Sequence, residues 1–322
     1  MSNQNSIDVY NVYSKYLKER FGEKVYKLPI SLPLTCPNRD GCVGTGGCIY
    51  CGEEGGSFEN LSNTLSVKEQ AEKNKDYIQR RYKANKFISY FQNFTNTYLP
   101  IDDFKRYVEE SIVDRVVGIS ISTRPDCIND EYLEYLDYIK KRYDLEITIE
   151  LGLQTVNYHT LKKINRGHTL AEFLDAVIRN KRYGIRTCAH LILNLPWDDM
   201  DDTIENAKIL SALGVEEVKL HGLYILDKTE LGNMYKSGEI SIISKEEYKE
   251  RVIKFLEYLD EEIVVQRIIG RAPEENSLFV NWNESWWKIR DEIVSDMEKR
   301  QTRQGIKCDY LNGKALKNKK YI

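Results

Sequence analysis

The sequence contains no apolar run long enough to cross a bilayer and no apolar leader. It therefore reads as a cytoplasmic protein with no membrane partner. It lacks internal repeats and low-complexity tracts, which argues against a solenoid or a disordered array. It also lacks strong charge of either sign: the net charge of −3 gives no overall pull toward a polyanion, although a local basic patch remains compatible with it. Among seven cysteines there is one C-x-x-C pair, whereas zinc sites built on cysteine more often use two. In a reducing compartment clustered cysteines more often bind metal or do redox chemistry than form disulfides. What is present is enough apolar sequence, 41% of 322 residues, for a substantial core, and 30% charged residues for a soluble surface.

Short β-rich runs alternate with amphipathic helical stretches. The pattern predicts strands over residues 26–32, 87–94, 116–122, 146–153, 186–195 and 215–225, with helices over 66–85, 101–111, 130–143, 171–183 and 201–213. Such alternation argues for βαβ units and a parallel sheet. Six units fall short of a closed eight-fold barrel, so the expected architecture is an α/β partial (β/α)6 barrel spanning residues 1–226, with its chemistry at the C-terminal strand ends. Residues 227–322 are expected to form a C-terminal α/β extension beside the barrel mouth. It holds helical sequence through residue 259, a further strand over 263–269 and a helix over 286–300.

The first strand leads into a glycine-rich loop carrying Cys36, Cys42, Cys48 and Cys51. Gly41, Gly44, Gly46 and Gly47 let the backbone wrap closely around a bulky group. Two metal centres suit these residues. Cys36, Cys48 and Cys51 can hold a 4Fe–4S cluster that keeps one iron open, or all four thiolates can close a zinc knot. The single C-x-x-C favours the cluster.

The run Cys36-Pro37-Asn38-Arg39-Asp40-Gly41 and Gly46-Gly47-Cys48-Ile49-Tyr50-Cys51 resembles the loop of radical S-adenosylmethionine (SAM) enzymes, and more closely the YtqA/YhcC-type family related to the Elongator catalytic subunit. Further matching segments follow in order: Tyr90-Phe91-Gln92, Thr95-Asn96-Thr97-Tyr98, Ser120-Ile121-Ser122-Thr123-Arg124-Pro125-Asp126, Glu150-Leu151-Gly152-Leu153-Gln154-Thr155, Asn165-Arg166-Gly167-His168-Thr169 and His221-Gly222-Leu223-Tyr224. The resemblance implies Cys36, Cys48 and Cys51 as cluster ligands and a 4Fe–4S cluster and SAM as cofactors. The family usually has another residue where this chain has Cys42, which leaves Cys42 as a bystander, a rescue ligand or an oxidation liability, with the bystander favoured.

It further implies that Tyr50 borders the adenine of SAM and that Gln92, Thr95 and Asn96 lie near its amino group, although a plain loop-capping role suits each of these three equally. Glu150 and Gln154 share one face of a strand, with Glu150 toward the SAM ribose. Arg166 meets the SAM carboxylate or a substrate phosphate, or equally forms a helix-capping salt bridge, and His221 stands at the barrel mouth. His190, Gln266 and Arg267 are weaker candidates on strands, and Arg124 and Asp126 form a pair across a turn. No catalytic side chain is singled out.

The implied reaction is reductive cleavage of SAM to a 5′-deoxyadenosyl radical, with an electron donor such as flavodoxin or ferredoxin. The implied substrate is the wobble uridine of tRNA, at the step that takes a 5-carboxymethylaminomethyl group to an aminomethyl group. The basic residues Lys299, Arg300, Arg303, Lys307, Lys314, Lys317, Lys319 and Lys320, downstream of Trp282, Trp286 and Trp287, suit an RNA contact. The same residues read equally as a solvated tail behind a tryptophan-anchored helix. Two rivals are a radical SAM enzyme acting on a small molecule or peptide, and a zinc-stabilised non-catalytic nucleic-acid-binding protein. The remaining cysteines form no second cluster motif, which disfavours methylthiolation.

Overall fold

The computed structural model describes residues 8–52, 61–273 and 276–317. In chain order its elements begin with α1 (Tyr13–Phe21), β1 (Val25–Ile30), α2 (Val67–Tyr82), β2 (Lys86–Phe91), α3 (Ile101–Glu110), β3 (Val116–Thr123), α4 (Asp130–Tyr143) and β4 (Glu146–Gln154). They continue with α5 (Tyr158–Lys163), α6 (Leu170–Arg182), β5 (Arg186–Ile192), α7 (Met200–Leu213), β6 (Glu217–His221), β7 (Ile225–Leu226), α8 (Glu230–Lys236), α9 (Lys245–Tyr258), β8 (Val264–Arg267), β9 (Ser277–Phe279) and α10 (Trp286–Lys299).

Local chemistry sets many of these boundaries. Capping boxes start α2 at Ser66 with Glu69, α6 at Thr169 with Glu172, and α7 at Asp199 with Asp202. Gly22 and Gly214 close α1 and α7 in the left-handed conformation. The strands are nearly continuous apolar runs, as parallel strands covered on both faces must be; β2 is buried at every position but its first.

Seven parallel strands form one curled sheet in the order β1-β2-β3-β4-β5-β6-β8. This is the expected partial barrel with one strand more. The strand expected over residues 263–269 does not lie beside the mouth but pairs with β6 in the barrel sheet, because the α8–α9 connection returns the chain as another βαβ unit. The curl is tight enough for Lys27 on β1 to reach Gln266 on β8 at 2.9 Å. The N-terminal segment spans the gap between these edges: the Val265 amide donates to the Asn11 carbonyl at 2.8 Å, and Tyr13 of α1 lines the interior.

Other expectations shift in detail. The strand expected over 87–94 stops at Phe91, and Phe94 takes a φ of 49° as the chain turns away. The one expected over 215–225 breaks at Gly222 into β6 and β7, and β7 pairs with β9 in a separate small sheet. Helix α5 was not expected; Asn157 caps it by accepting from the amides of His159 and Thr160. No helix among the described residues is long and apolar enough to cross a membrane.

Candidate functional site

A cavity of about 520 Å³ follows the inner face of the sheet to the C-terminal strand ends. Of the residues singled out from the sequence, Cys36, Cys48, Cys51, Tyr50, Gln92, Thr95, Glu150, Gln154, Arg166 and His221 all line it. Asn96 does not. Its side-chain amide donates to the carbonyls of Asn93 and Ser122, both at 2.8 Å, and so clips the ends of β2 and β3 together.

The cysteine loop is tied down by its own backbone. Pro37 O accepts from Val43 N at 2.8 Å, Asn38 O accepts from Gly47 N at 2.8 Å, and Cys48 O accepts from Cys51 N at 2.9 Å. Gly46 and Gly47 have φ values of 77° and 83°, a conformation open to glycine at little cost. Buried Asn38 holds the loop to the rest of the site: its Nδ2 donates to Asn165 O at 2.6 Å and lies 3.7 Å from Cys48 Sγ. Cys42 is exposed and lies outside the cavity lining. Among the described residues, no three loop sulfurs lie within 4.8 Å of one another, whereas a zinc tetrahedron has sulfur–sulfur edges of about 3.8 Å. The donor set thus fits a larger group held by three thiolates better than a four-thiolate knot.

Arg166 links this loop to β4. Its Nη1 lies 3.6 Å from Cys48 Sγ, and its Nε and Nη2 donate to Gly152 O at 3.2 and 2.7 Å. Burial works against its charge, yet Cys48, Tyr50 and Cys36 hold its pKa above the ordinary value. Gly152 leaves room for both side chains, because a Cβ there would lie 2.6 Å from Arg166 Nη2 and 2.9 Å from Gln154 Nε2 and would push them aside. Gln154 itself sits at φ 78°, where β4 slips register against β5, an uncommon conformation for a non-glycine residue and one found at functional sites. His168 Nε2 lies 3.1 Å from the same Gly152 carbonyl, and burial, then Arg166 and Arg124, lower its pKa to about 3, so the ring is neutral. Arg124 and Asp126 pair across their turn as expected, at 2.9 and 2.7 Å, and Arg124 also donates to Arg166 O at 2.8 Å.

Deeper in the cavity, Glu150 is fully buried and both its oxygens are engaged. Lys27 and Gln266 reach Oε1, while Lys219 and His190 reach Oε2 at 2.7 and 2.8 Å. Burial alone would raise the Glu150 pKa, but Lys219 and Lys27 hold it well below the usual carboxylate range. Burial and then Lys219 lower His190 to about 4, so it donates to Glu150 as a neutral ring. His221 Nδ1 accepts from Arg267 at 2.7 Å, and its pKa is also pushed well down by burial and by Arg267. Both Gln266 and Arg267 line the cavity because the β6–β8 register jumps at this point, adding one residue on β8.

Sequence reasoning missed Lys27, Lys219, Tyr90 and the tether made by Asn38. A signal existed for Lys219, a cation set between the apolar Val218 and Leu220 in a strand buried at every position but its last. Five of the basic residues expected to meet RNA or solvent are paired with acidic side chains. Arg303 pairs with Glu261 at 2.7 Å, Lys314 with Asp309 at 3.0 Å and Lys299 with Asp296 at 3.5 Å; Arg300 and Lys307 meet Glu250 and Glu257. Lys319 and Lys320 lie outside the described residues. Trp282 donates to Ile243 O at 2.8 Å, whereas Trp287 is exposed.

Comparison with known proteins agrees with this geometry. A model of the radical SAM superfamily matches residues 39–228, and a radical SAM C-terminal domain matches residues 215–299. The protein YtqA of Bacillus subtilis is 36% identical over 297 residues, covering 92% of each chain. The tRNA uridine(34) acetyltransferase of Methanocaldococcus jannaschii is 29% identical over 148 residues, 44% of this chain and 26% of that one. In structure, the archaeal Methanocaldococcus infernus Elp3 superposes with a TM-score of 0.66 at 17% identity, over 87% of this chain and 64% of the other.

Proposed function

The chain belongs to the radical SAM superfamily, and we propose that it acts on tRNA, converting a 5-carboxymethylaminomethyl group on the wobble uridine to an aminomethyl group. Its cofactors are a 4Fe–4S cluster and SAM. Bound together and reduced by a donor such as flavodoxin or ferredoxin, they supply a 5′-deoxyadenosyl radical that abstracts hydrogen.

The observation that carries the enzyme reading is the placing of three loop thiols, Cys36, Cys48 and Cys51, on one cavity with Cys42 outside it. These three would hold the cluster. Arg166, buried against Cys48, offsets the negative charge of that group. The curled sheet and α1 enclose the reacting carbon and keep water away from a radical. The tRNA reading rests on the likeness to a tRNA uridine(34) acetyltransferase over nearly half the chain.

The chemistry balances without a further oxidant. Removing a hydrogen atom and then an electron from the carbon between amine and carboxylate gives an iminium. Water splits it into the aminomethyl product and glyoxylate. The two electrons removed equal the two taken up when SAM is cleaved to methionine and 5′-deoxyadenosine.

The test has two arms. Anaerobic reconstitution of wild type and of Cys36→Ala, Cys42→Ala, Cys48→Ala and Cys51→Ala is read as iron content and 5′-deoxyadenosine formed; only wild type and Cys42→Ala should retain both. Nucleoside mass spectrometry of tRNA from a deletion strain should show the carboxymethylaminomethyl form accumulating, and an unchanged profile rules out this substrate.

A further inference from the structure

The deep part of the cavity holds more positive than negative charge. Lys27, Lys219 and Arg267 face it, and the carboxylate among them is Glu150, which Lys27 and Lys219 share. Glu217, one layer below, is matched by Arg186 at 3.0 Å. Arg267 has no carboxylate within ion-pair distance among the described residues; its hydrogen-bonding partner there is the neutral ring of His221, and its buried Nε has no acceptor.

The guanidinium is nevertheless held in place. The added residue on β8 turns it inward, His221 Nδ1 fixes Nη2 at 2.7 Å, and Gly270 leaves it room, since a Cβ there would lie 2.8 Å from Arg267 Cζ. Arg267 is half-buried with its Nε fully covered, and a cation so fixed in a cavity without a counterion loses part of its hydration, which a bound anion would offset. A planar guanidinium with an unsatisfied Nε suits a carboxylate in particular.

We propose that Arg267, held by His221 and Gly270, binds the carboxylate of the substrate's substituent and so selects an acidic over a neutral modified base. The identity of that substituent rests on the tRNA reading above; the charge preference does not. Glu150 keeps Lys27 and Lys219 occupied and leaves Arg267 as the cation on offer. The carboxylate of SAM is another source of the same chemistry, and the test separates the two.

The experiment measures dissociation constants on the anaerobically reconstituted holoenzyme with SAM bound, using 5-carboxymethylaminomethyluridine, its methyl ester and N-methylglycine as probes. Wild type should bind the acid about 10- to 100-fold more tightly than the ester, the range expected for hydrogen bonds to a charged group. Arg267→Met should bring that ratio to about 1, and Arg267→Lys should keep part of it, which guards against a folding defect. Equal binding of acid and ester by wild type overturns the proposal. So does weaker SAM binding by Arg267→Met with the acid-to-ester ratio intact, which would assign the guanidinium to SAM. Failure of the tRNA reading looks different: wild type would bind N-methylglycine through Arg267 while showing no preference for the uridine acid over it.

Discussion

Lys219 Nζ lies 2.7 Å from Glu150 Oε2, and this buried pair sits where side chains from β1, β4, β5, β6 and β8 converge. Glu150 is therefore the central acceptor of the barrel interior as well as a candidate to face a bound ribose. Replacing it by Gln leaves two lysines without their shared carboxylate. Breaking a buried pair from one side costs about 3–5 kcal/mol, so Glu150→Gln should be destabilised by that order at pH 7 in urea denaturation.

The sign with pH follows. Glu150 is held below its unfolded pKa, so its contribution is complete above the normal glutamate range and is lost as pH falls through the folded value. The gap between wild type and Glu150→Gln should narrow on acidification. A variant within 1 kcal/mol of wild type at pH 7 would mean that the cluster contributes nothing net.

Gly152→Ala is expected to act at a distance from its own backbone. The added methyl occupies space now held by Arg166 Nη2 and Gln154 Nε2, and Arg166 is the more constrained of the two by its contacts with Cys48 and the Gly152 carbonyl. Reconstituted Gly152→Ala should hold substoichiometric iron and lose its charge-transfer absorption faster in air. Arg166→Met should reproduce this defect. Full and stable iron loading of both variants would remove Arg166 from the cluster's surroundings.

Asn38→Ala tests the tether between the cysteine loop and the turn before α6. The change removes the part-buried hydrogen bond to the Asn165 carbonyl, at about 1 kcal/mol. Because Asn38 lies in the loop that carries the thiols, the effect should fall on metal retention: iron transfer to a chelator should be several-fold faster, with the thermal midpoint of the barrel shifting by only a few degrees. An unchanged chelation rate would show that the backbone bonds of the loop suffice.

These residues show what the sequence could and could not tell. The strands were legible because parallel strands must be apolar on both faces, and the gathering of Cys36, Cys48 and Cys51 on one cavity followed the resemblance, since spacing alone left a four-thiolate knot open. Arg267 was weakly legible, since only a local slip between β6 and β8 turns it and Gln266 inward together. Asn96 belongs to a polar cluster in sequence, yet the fold uses it as a backbone clip. The basic tail looked free because its partners Glu250, Glu257 and Glu261 lie some fifty residues upstream, at and beyond α9.

Asp198 offers a test of stability at a residue outside the cavity lining. It lies just before α7, is buried, and neither oxygen makes a well-formed hydrogen bond; the Thr160 and Thr155 hydroxyls are its polar neighbours. Burial raises its pKa from 3.8 to about 6. The folded carboxyl thus keeps a proton that the unfolded chain releases, so its contribution to stability is greatest below pH 3.8 and falls as pH rises to about 6. Above that the charged form carries a constant penalty of about 3 kcal/mol at most. Asp198→Asn removes the charge and keeps the shape. It should be more stable than wild type at pH 7.5, with the difference growing as pH rises from 3.8 to about 6 and level above that in urea denaturation. A variant that is less stable at pH 7.5, or offset by a pH-independent amount, would show that the carboxylate is ionised and satisfied in the folded protein.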